Sequence, residues 1–306
     1  MAKTAIAADP PRALASGARR SKLGCVAQFH CLTFLTDYGL EDAFVAVCHA
    51  VASGIAPGVQ ITDITHLIRL GDIRRGATVL AQAAPYFPPA VHVAVVDPGV
   101  GTPRRGVAVE AGGSLFVGPD NGLLSVAVAA AGGPARAVSL TNRALWRETT
   151  AATFHGRDIF MPVAARLAAG LPLTAAGDAI EVASLVTLPP PECRITGDGA
   201  RLEVVTVDGF GNVQLSLPGA DAPRAGLVPG RTVTLAWAGQ ELTLPFVTTF
   251  GEVAPGEPLC YRDAGDWVAV AVAGGDAAGR LGLRPGTRVT LTPLGHPVPN
   301  DPNVTE

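Results

Sequence analysis

Apolar positions along the first 185 residues fall alternately into short runs and helical stripes. LTFLTD (32–37) is a run ending on an aspartate, and YGLEDAFVAVCHAVASGIAPG (38–58) carries a helical stripe closed by Pro57 and Gly58. VQITDITH (59–66) predicts a second strand, DIRRGATVLAQAAPYF (72–87) a helix stopped at Pro88, and VHVAVVD (91–97) a third strand. That third run is almost wholly apolar, as expected of a strand covered on both faces. Strands alternating with helices imply a mostly parallel sheet, and in such sheets ligands collect beyond the carboxyl ends of the strands. Asp37 and Asp97 both stand at such ends.

Further on, RGVAVEAG (105–112) and SLFVGPDNG (114–122) alternate around glycines, LLSVAVAAA (123–131) is helical in pattern, and ATFHGRDIFMPVAARLAAG (152–170) places His155 just before a helix. After residue 185 the pattern changes. TLPPPECRITGDG (187–199) is a proline-rich joint, and RLEVVTVDGFGNVQLSL, RTVTLAWAG, QELTLPFVTTF, DWVAVAVAG and TRVTLTPLG are short alternating segments cut by glycine and proline. They predict a small barrel. The expected organisation is therefore a loose tail (1–30), an α/β domain with a mostly parallel sheet (31–186), a linker (187–197), a smaller all-β barrel domain (198–296) and a carboxyl-terminal tail (297–306).

Composition narrows the function. With 48% hydrophobic and 16% charged residues, the chain can bury a core in each domain, and a formal net charge of -3 provides no basic field for a nucleic acid. Cys25, Cys31, Cys48, Cys193 and Cys260 are odd in number and scattered, so reduced, buried thiols are expected. No stretch has the length of a membrane span. The first 30 residues lack the apolar centre of a secretory signal; being basic and nearly free of acids, they are also compatible with a transit peptide, with a cytoplasmic protein as the default.

VVDPGVGTPRR (95–105) sets an aspartate and two arginines around a tight turn directly after the third strand. It has neither the Lys-Ser/Thr of a phosphate loop nor the three-glycine dinucleotide fingerprint. Asp37, Asp42, Asp97, Asp120 and His155 show no ligand spacing, although oxygen-ligand sites can be assembled from distant loops; no metal and no cofactor are expected. No serine or cysteine sits at a nucleophile elbow. An Asp, an Arg and a His without a protein nucleophile can position water. Equally, an Asp and an Arg seven apart can be a loop-fixing ion pair, and a His before a helix can be a cap.

LTDYGLEDAFV, ITDITH, VVDPGVGTPRR, GPDNGLL, TFHGRDIF and DGFGN, in that order between residues 32 and 290, resemble the S-adenosyl-L-methionine (SAM) hydroxide adenosyltransferases. These adenosine-forming SAM hydrolases are relatives of the SAM-dependent fluorinase and chlorinase. The resemblance implies hydrolysis of SAM, as substrate rather than cofactor, to adenosine and methionine. It implies a homotrimer whose sites lie between the amino-terminal domain of one subunit and the barrel of the next. It assigns water activation to Asp97, Arg104 and His155, the ribose hydroxyls to Asp37, the methionine portion to Asp42 and Asp208, and the adenine to Phe210 and Asn212. The halogenases carry tyrosine in place of Asp97 and a tyrosine-serine pair in place of His155-Gly156. Gln214 stands where fluorinase-like sequences have tryptophan, and AGDW follows Asp263 where they have a Ser-Arg pair. A halogenase and a non-catalytic SAM or adenosine binder are the alternatives. Outside the set, Arg157 and Asp158 are expected to tie a helix start into the core, His66 to end a strand near the site, and His30, His49, His92 and His296 to have no functional role.

Overall fold

A computed structural model describes residues 29–295; the expected tails, apart from Phe29 and His30, lie outside the described residues, as do Cys25 and His296. The first sheet has seven strands: β1 (Cys31–Thr36), β2 (Gln60–Thr65), β3 (Val91–Val95), β4 (Gly106–Ala111), β5 (Ser114–Pro119), β6 (Arg136–Ser139) and β7 (Asp178–Ala179), in the order β2-β1-β3-β5-β4-β6-β7. β2, β1, β3 and β5 run parallel. Beyond β5 the sheet continues through antiparallel pairings of β5 with β4, β4 with β6 and β6 with β7, β4 and β5 forming a hairpin turned on Gly112 and Gly113, both at positive φ. The expected mostly parallel sheet is thus present.

Alternation along the strands explains the two cores. Leu32 and Phe34 of β1, with Val91, Val93 and Val95 of β3, pack under α1 (Phe44–Ile55) and α4 (Met161–Ala168). Leu35, Ala94 and Val96 face the other way, toward α2 (Ile73–Ala83) and α3 (Ser125–Ala130). Every residue of β3 is buried, as its unbroken apolar run predicts. Helix α1 starts six residues later than its apolar stripe suggests: Gly39 sits at φ +72° and donates from its backbone N–H to His66 O at 2.8 Å, which holds 37–43 as a loop. That loop carries Asp37, Tyr38 and Asp42.

The second sheet closes on itself. β9 (Gly199–Val207) pairs with both β10 (Val213–Pro218) and β15 (Arg288–Pro293), and β11 (Thr232–Trp237), β12 (Gln240–Val247), β13 (Pro258–Arg262) and β14 (Trp267–Val272) complete a seven-stranded barrel. β12 and β13 are parallel, the one such pair among the barrel's described strands. Within the proline-rich segment, Cys193–Thr196 forms β8, which pairs antiparallel with the first half of β9. A short helix, α5 (Ala277–Leu281), capped by Asp276, covers one end. No described cysteine is in a disulfide; Cys48 and Cys260 are buried as expected, whereas Cys193 is exposed because β8 lies outside the closed barrel. No helix among the described residues is long and apolar enough to cross a membrane.

α2 joins the two units. Arg75 Nη1 donates to Thr206 Oγ1 at 2.5 Å and Gln82 Nε2 to Gln214 Oε1 at 3.0 Å. Between α2 and the barrel runs a groove of about 1560 Å³.

Candidate functional site

The chain leaves β1 to one side for β2 and then crosses to the other side for β3, so the sheet reverses its winding between β1 and β3. A crevice opens at such a reversal, because the two connections depart from each other. Thr36 pairs with Val95 across these adjacent strands, and Asp37 and Asp97 follow them into the crevice. The two carboxylates feel each other: Asp37 is pushed above the ordinary carboxylate range, first by burial and to a lesser extent by the Asp97 charge. Gly71 N–H donates to Asp37 Oδ2 at 2.8 Å and partly offsets this.

The turn after Asp97 is built by its own backbone. Val100 N–H donates to Asp97 O, and Thr102 donates to Gly99 O through both its backbone N–H and its Oγ1. Gly101 has φ +79°, and a Cβ there would lie 2.8 Å from Ala152 O. This close backbone approach presses the loop onto the 151–155 segment, so that Arg104 and His155, 51 residues apart, meet.

Arg104 is the centre of the cluster. Its Nε is 3.0 Å from each Asp97 oxygen, its Nη2 is 2.5 Å from Asp97 Oδ2 and 2.8 Å from His155 Nδ1, and its guanidinium lies 5.2 Å from the centroid of Phe160. Both members of the Asp97–Arg104 pair are well covered, with side chains 5% and 13% exposed. His155 is pushed below the ordinary histidine range, first by burial and then by the Arg104 charge. It is therefore neutral at pH 7 and, accepting at Nδ1 from a guanidinium that can only donate, carries its proton on Nε2.

Behind His155 the chain enters α4 through a wide turn, Gly156–Phe160, in which Met161 N–H reaches back five residues to Gly156 O. A Cβ at Gly156 would fall 2.0 Å from Tyr38 Oη. Thus Tyr38, on the Asp37 loop, occupies the place a side chain at 156 would need. Asp158 is fully buried and accepts from Arg157, Arg147 and Ala151 N–H, anchoring the turn as the sequence suggests. Arg105 is turned away, paired with Asp120 at 2.5 Å and with Ser184, which removes Asp120 from the crevice. Asp42 is exposed on the loop before α1.

The barrel residues are elsewhere. Asp208 Oδ1 accepts from Phe210 N–H and Asn212 N–H, each at 2.9 Å, and its Oδ2 accepts from Asn212 Nδ2 at 2.8 Å, so the DGFGN segment is a self-closed turn. Phe210 is 82% exposed at its tip. Asp208, Phe210 and Asn212 line the groove against α2, and none of Asp37, Asp97, Arg104 or His155 does. Gln214 and Trp267 line the same groove. Within one chain the two expected sets of site residues therefore form two separate surfaces.

Sequence reasoning missed a further cluster. His49, Asp63 and His66 bring possible ligand atoms within 4.8 Å of one another, and the Asp63-x-x-His66 spacing was the available signal.

A two-core α/β domain with an Asp-Arg-His crevice at its switch point, followed by a closed barrel, defines the class of the molecule. The chain belongs to the SAM hydroxide adenosyltransferase family: residues 32–177 match that family's N-terminal domain and residues 202–290 its C-terminal domain. It is 53% identical to a protein of Salinispora tropica named (R)-S-adenosyl-L-methionine hydrolase, over 85% of this chain and 97% of that one. A more distant relative is a fluorinase of Actinoplanes sp., 27% identical over 85% of this chain and 97% of its own. The crystal structure of an uncharacterized conserved protein from Thermotoga maritima superposes with a TM-score of 0.80 at 36% identity, covering 85% of this chain and 99% of that chain.

Proposed function

We propose that the chain hydrolyses SAM to adenosine and L-methionine by in-line attack of water on the ribose 5′ carbon. The observation that carries this reading is the Arg104 guanidinium shared between Asp97 and His155 at the crevice between β1 and β3. The sulfonium makes methionine a neutral leaving group, so departure needs no general acid. Water oxygen bonds to C5′, the C5′–S bond breaks with its electron pair going to sulfur, and one proton is left over. With His155 Nδ1 occupied by Arg104, the Asp97 carboxylate, whose oxygens keep lone pairs beyond Arg104, is the group that accepts that proton before releasing it to solvent. Arg104 supplies fixed positive charge beside the developing hydroxide. Nε2–H of His155 donates to the same water.

Asp37 takes the two ribose hydroxyls and Asp42 the methionine end. Asp208, Phe210 and Asn212 complete the site from the barrel of a neighbouring subunit in a homotrimer: in their own chain they line the groove between α2 and the barrel rather than the crevice, and Phe210 stands exposed there. In this reading the α/β unit (31–186) and barrel (198–296), joined by 187–197, belong to different sites, and the protein works in the cytoplasm. At position 156 the serine of the halogenases would collide with Tyr38 Oη, which argues against halide chemistry.

Incubating the purified protein with SAM, with and without halide, and separating the products tests this directly. Adenosine and methionine in equal amounts without halide is the expected result. A 5′-halo-adenosine formed only with halide, or intact bound nucleoside, would overturn it. Sedimentation in the same buffer should give a trimer.

A further inference from the structure

Beside the crevice, on the outer edge of the first sheet, His49 of α1 and Asp63 and His66 of the β2 end converge. His49 Nε2 is 2.8 Å and His66 Nε2 3.1 Å from the same oxygen, Asp63 Oδ1. His66 is 3% exposed, and its Nε2 is fully covered yet has no hydrogen-bond partner: the Asp63 contact is too misaligned to count as one. Its other nitrogen is held. Nδ1 lies 2.9 Å from Thr36 Oγ1, which also accepts from Tyr38 N–H. In the tautomer with its proton on Nδ1, the two lone pairs of the Thr36 oxygen take both donors, and His66 keeps a bare Nε2 lone pair directed beside the Asp63 oxygen, the form in which a histidine binds a metal. An imidazole nitrogen and a carboxylate oxygen 3.1 Å apart but out of line leave a position beside them that a cation can share.

We propose that His49, Asp63 and His66 form a binding site for one divalent transition-metal ion of the zinc class. Two imidazole nitrogens and one carboxylate oxygen match the ligand preference of such ions, and the Thr36 bond is the outer hydrogen bond that orients a metal-binding histidine. His49 and Asp63 are about a third exposed, at 32% and 39%, so the ion has an entry path and keeps water in its remaining positions. The site lies apart from the Asp97 cluster but supports it. Gly39 N–H, on the loop that bears Asp37, donates to His66 O, so the ion would clip α1 and β2 together beneath that loop. Its role is structural, and it enters no step of the hydrolysis.

The test uses the full chain, stripped with a chelator and desalted, titrated with zinc chloride in a calorimeter and with cobalt(II) in a spectrophotometer. One ion per chain is expected, with visible d–d bands for cobalt and a zinc-dependent rise in melting temperature. His66 is buried, and substituting it risks the fold, so the variants are His49→Gln and Asp63→Asn. Each should bind zinc at least about tenfold more weakly while melting, without metal, as the parent does. No binding by the parent, or equal binding by the parent and both variants, overturns the proposal; the latter would mean an ion held elsewhere.

Discussion

Arg104 Nη2 lies 2.8 Å from His155 Nδ1 and 2.5 Å from Asp97 Oδ2. One guanidinium thus fixes both neighbours, and its loss should disturb the chemical step more than SAM binding, since the water is stabilised mainly at the transition state. Arg104→Ala and His155→Ala are each expected to lower kcat by about 100-fold or more, with SAM affinity little changed. The double variant should fall short of the sum, because both act on one water. Asp97→Asn, which keeps the turn, should behave likewise. Near-normal turnover in all three, with lowered melting temperatures, would reduce the cluster to an ion-paired loop.

The same geometry sets the response to pH. His155 is depressed below its ordinary value by burial and Arg104, so the neutral ring persists into mildly acidic solution. Protonation would put a second positive charge against Arg104 and remove the Nδ1 acceptor. The kcat/KM profile should therefore be flat above pH 6.5, the ordinary value, and fall only below it. The acid limb should change in His155→Gln. A limb centred above pH 6.5 and unchanged in that variant would assign it to another group.

Gly156 is required by Tyr38. A Cβ placed 2.0 Å from Tyr38 Oη must displace either the tyrosine or the turn that carries His155. Gly156→Ala is expected to lose about 1–3 kcal/mol of stability and much of kcat. Tyr38→Phe removes the nearest atom but leaves the ring carbon at 3.0 Å, so the double variant should recover part of both losses. Denaturant melts and initial rates on the four proteins form the cycle; additivity of the two changes would rule out this contact.

What the sequence disclosed, and what it hid, follows from the range of the interactions. Asp37 and Asp97 were legible because a strand's end is a local signal and parallel winding puts adjacent ends together. The meeting of Arg104 with His155 rests on Gly101 touching Ala152 O, a contact between distant segments that no periodicity encodes. The start of α1 was misplaced because Gly39 is tied to His66 O, again a tertiary bond. DGFGN was recognisable as a motif, yet its Asp208 is spent on its own turn in a single chain. His49 drew no functional reading, since its companions Asp63 and His66 are brought to it by the packing of α1 beside β2.

Asp37 should govern nucleoside affinity. Its Oδ2 already accepts from Gly71 N–H, which fixes the carboxylate at the crevice mouth with lone pairs to spare for two hydroxyls. Hydrogen bonds to a charged group are worth about 1.5–3 kcal/mol, so Asp37→Ala should weaken both SAM and adenosine by at least about tenfold. Calorimetry with adenosine separates this from catalysis. An unchanged adenosine affinity would remove Asp37 from the ribose site.

His92, which drew no functional reading, should make the fold sensitive to acid. It is 1% exposed, stacks on Phe116 with ring centroids 4.8 Å apart, and lies 2.8 Å from Thr33 Oγ1 through Nδ1. Burial alone pushes it down to about 4 from an ordinary 6.5. The unfolded chain takes up this proton near pH 6.5 while the folded chain resists it until about pH 4. Stability from neutral His92 is thus fully present above pH 6.5 and is lost as the pH falls towards 4. The loss is about 1.4 kcal/mol per pH unit, on the order of 3 kcal/mol across the window. His92→Gln, which can keep a hydrogen bond to Thr33, has no such proton to exclude. Denaturant midpoints measured from pH 7 to 4.5 should fall more steeply for the parent than for His92→Gln, even if the variant is less stable at neutral pH. Parallel slopes would mean that the buried ring is not what couples this fold to acid.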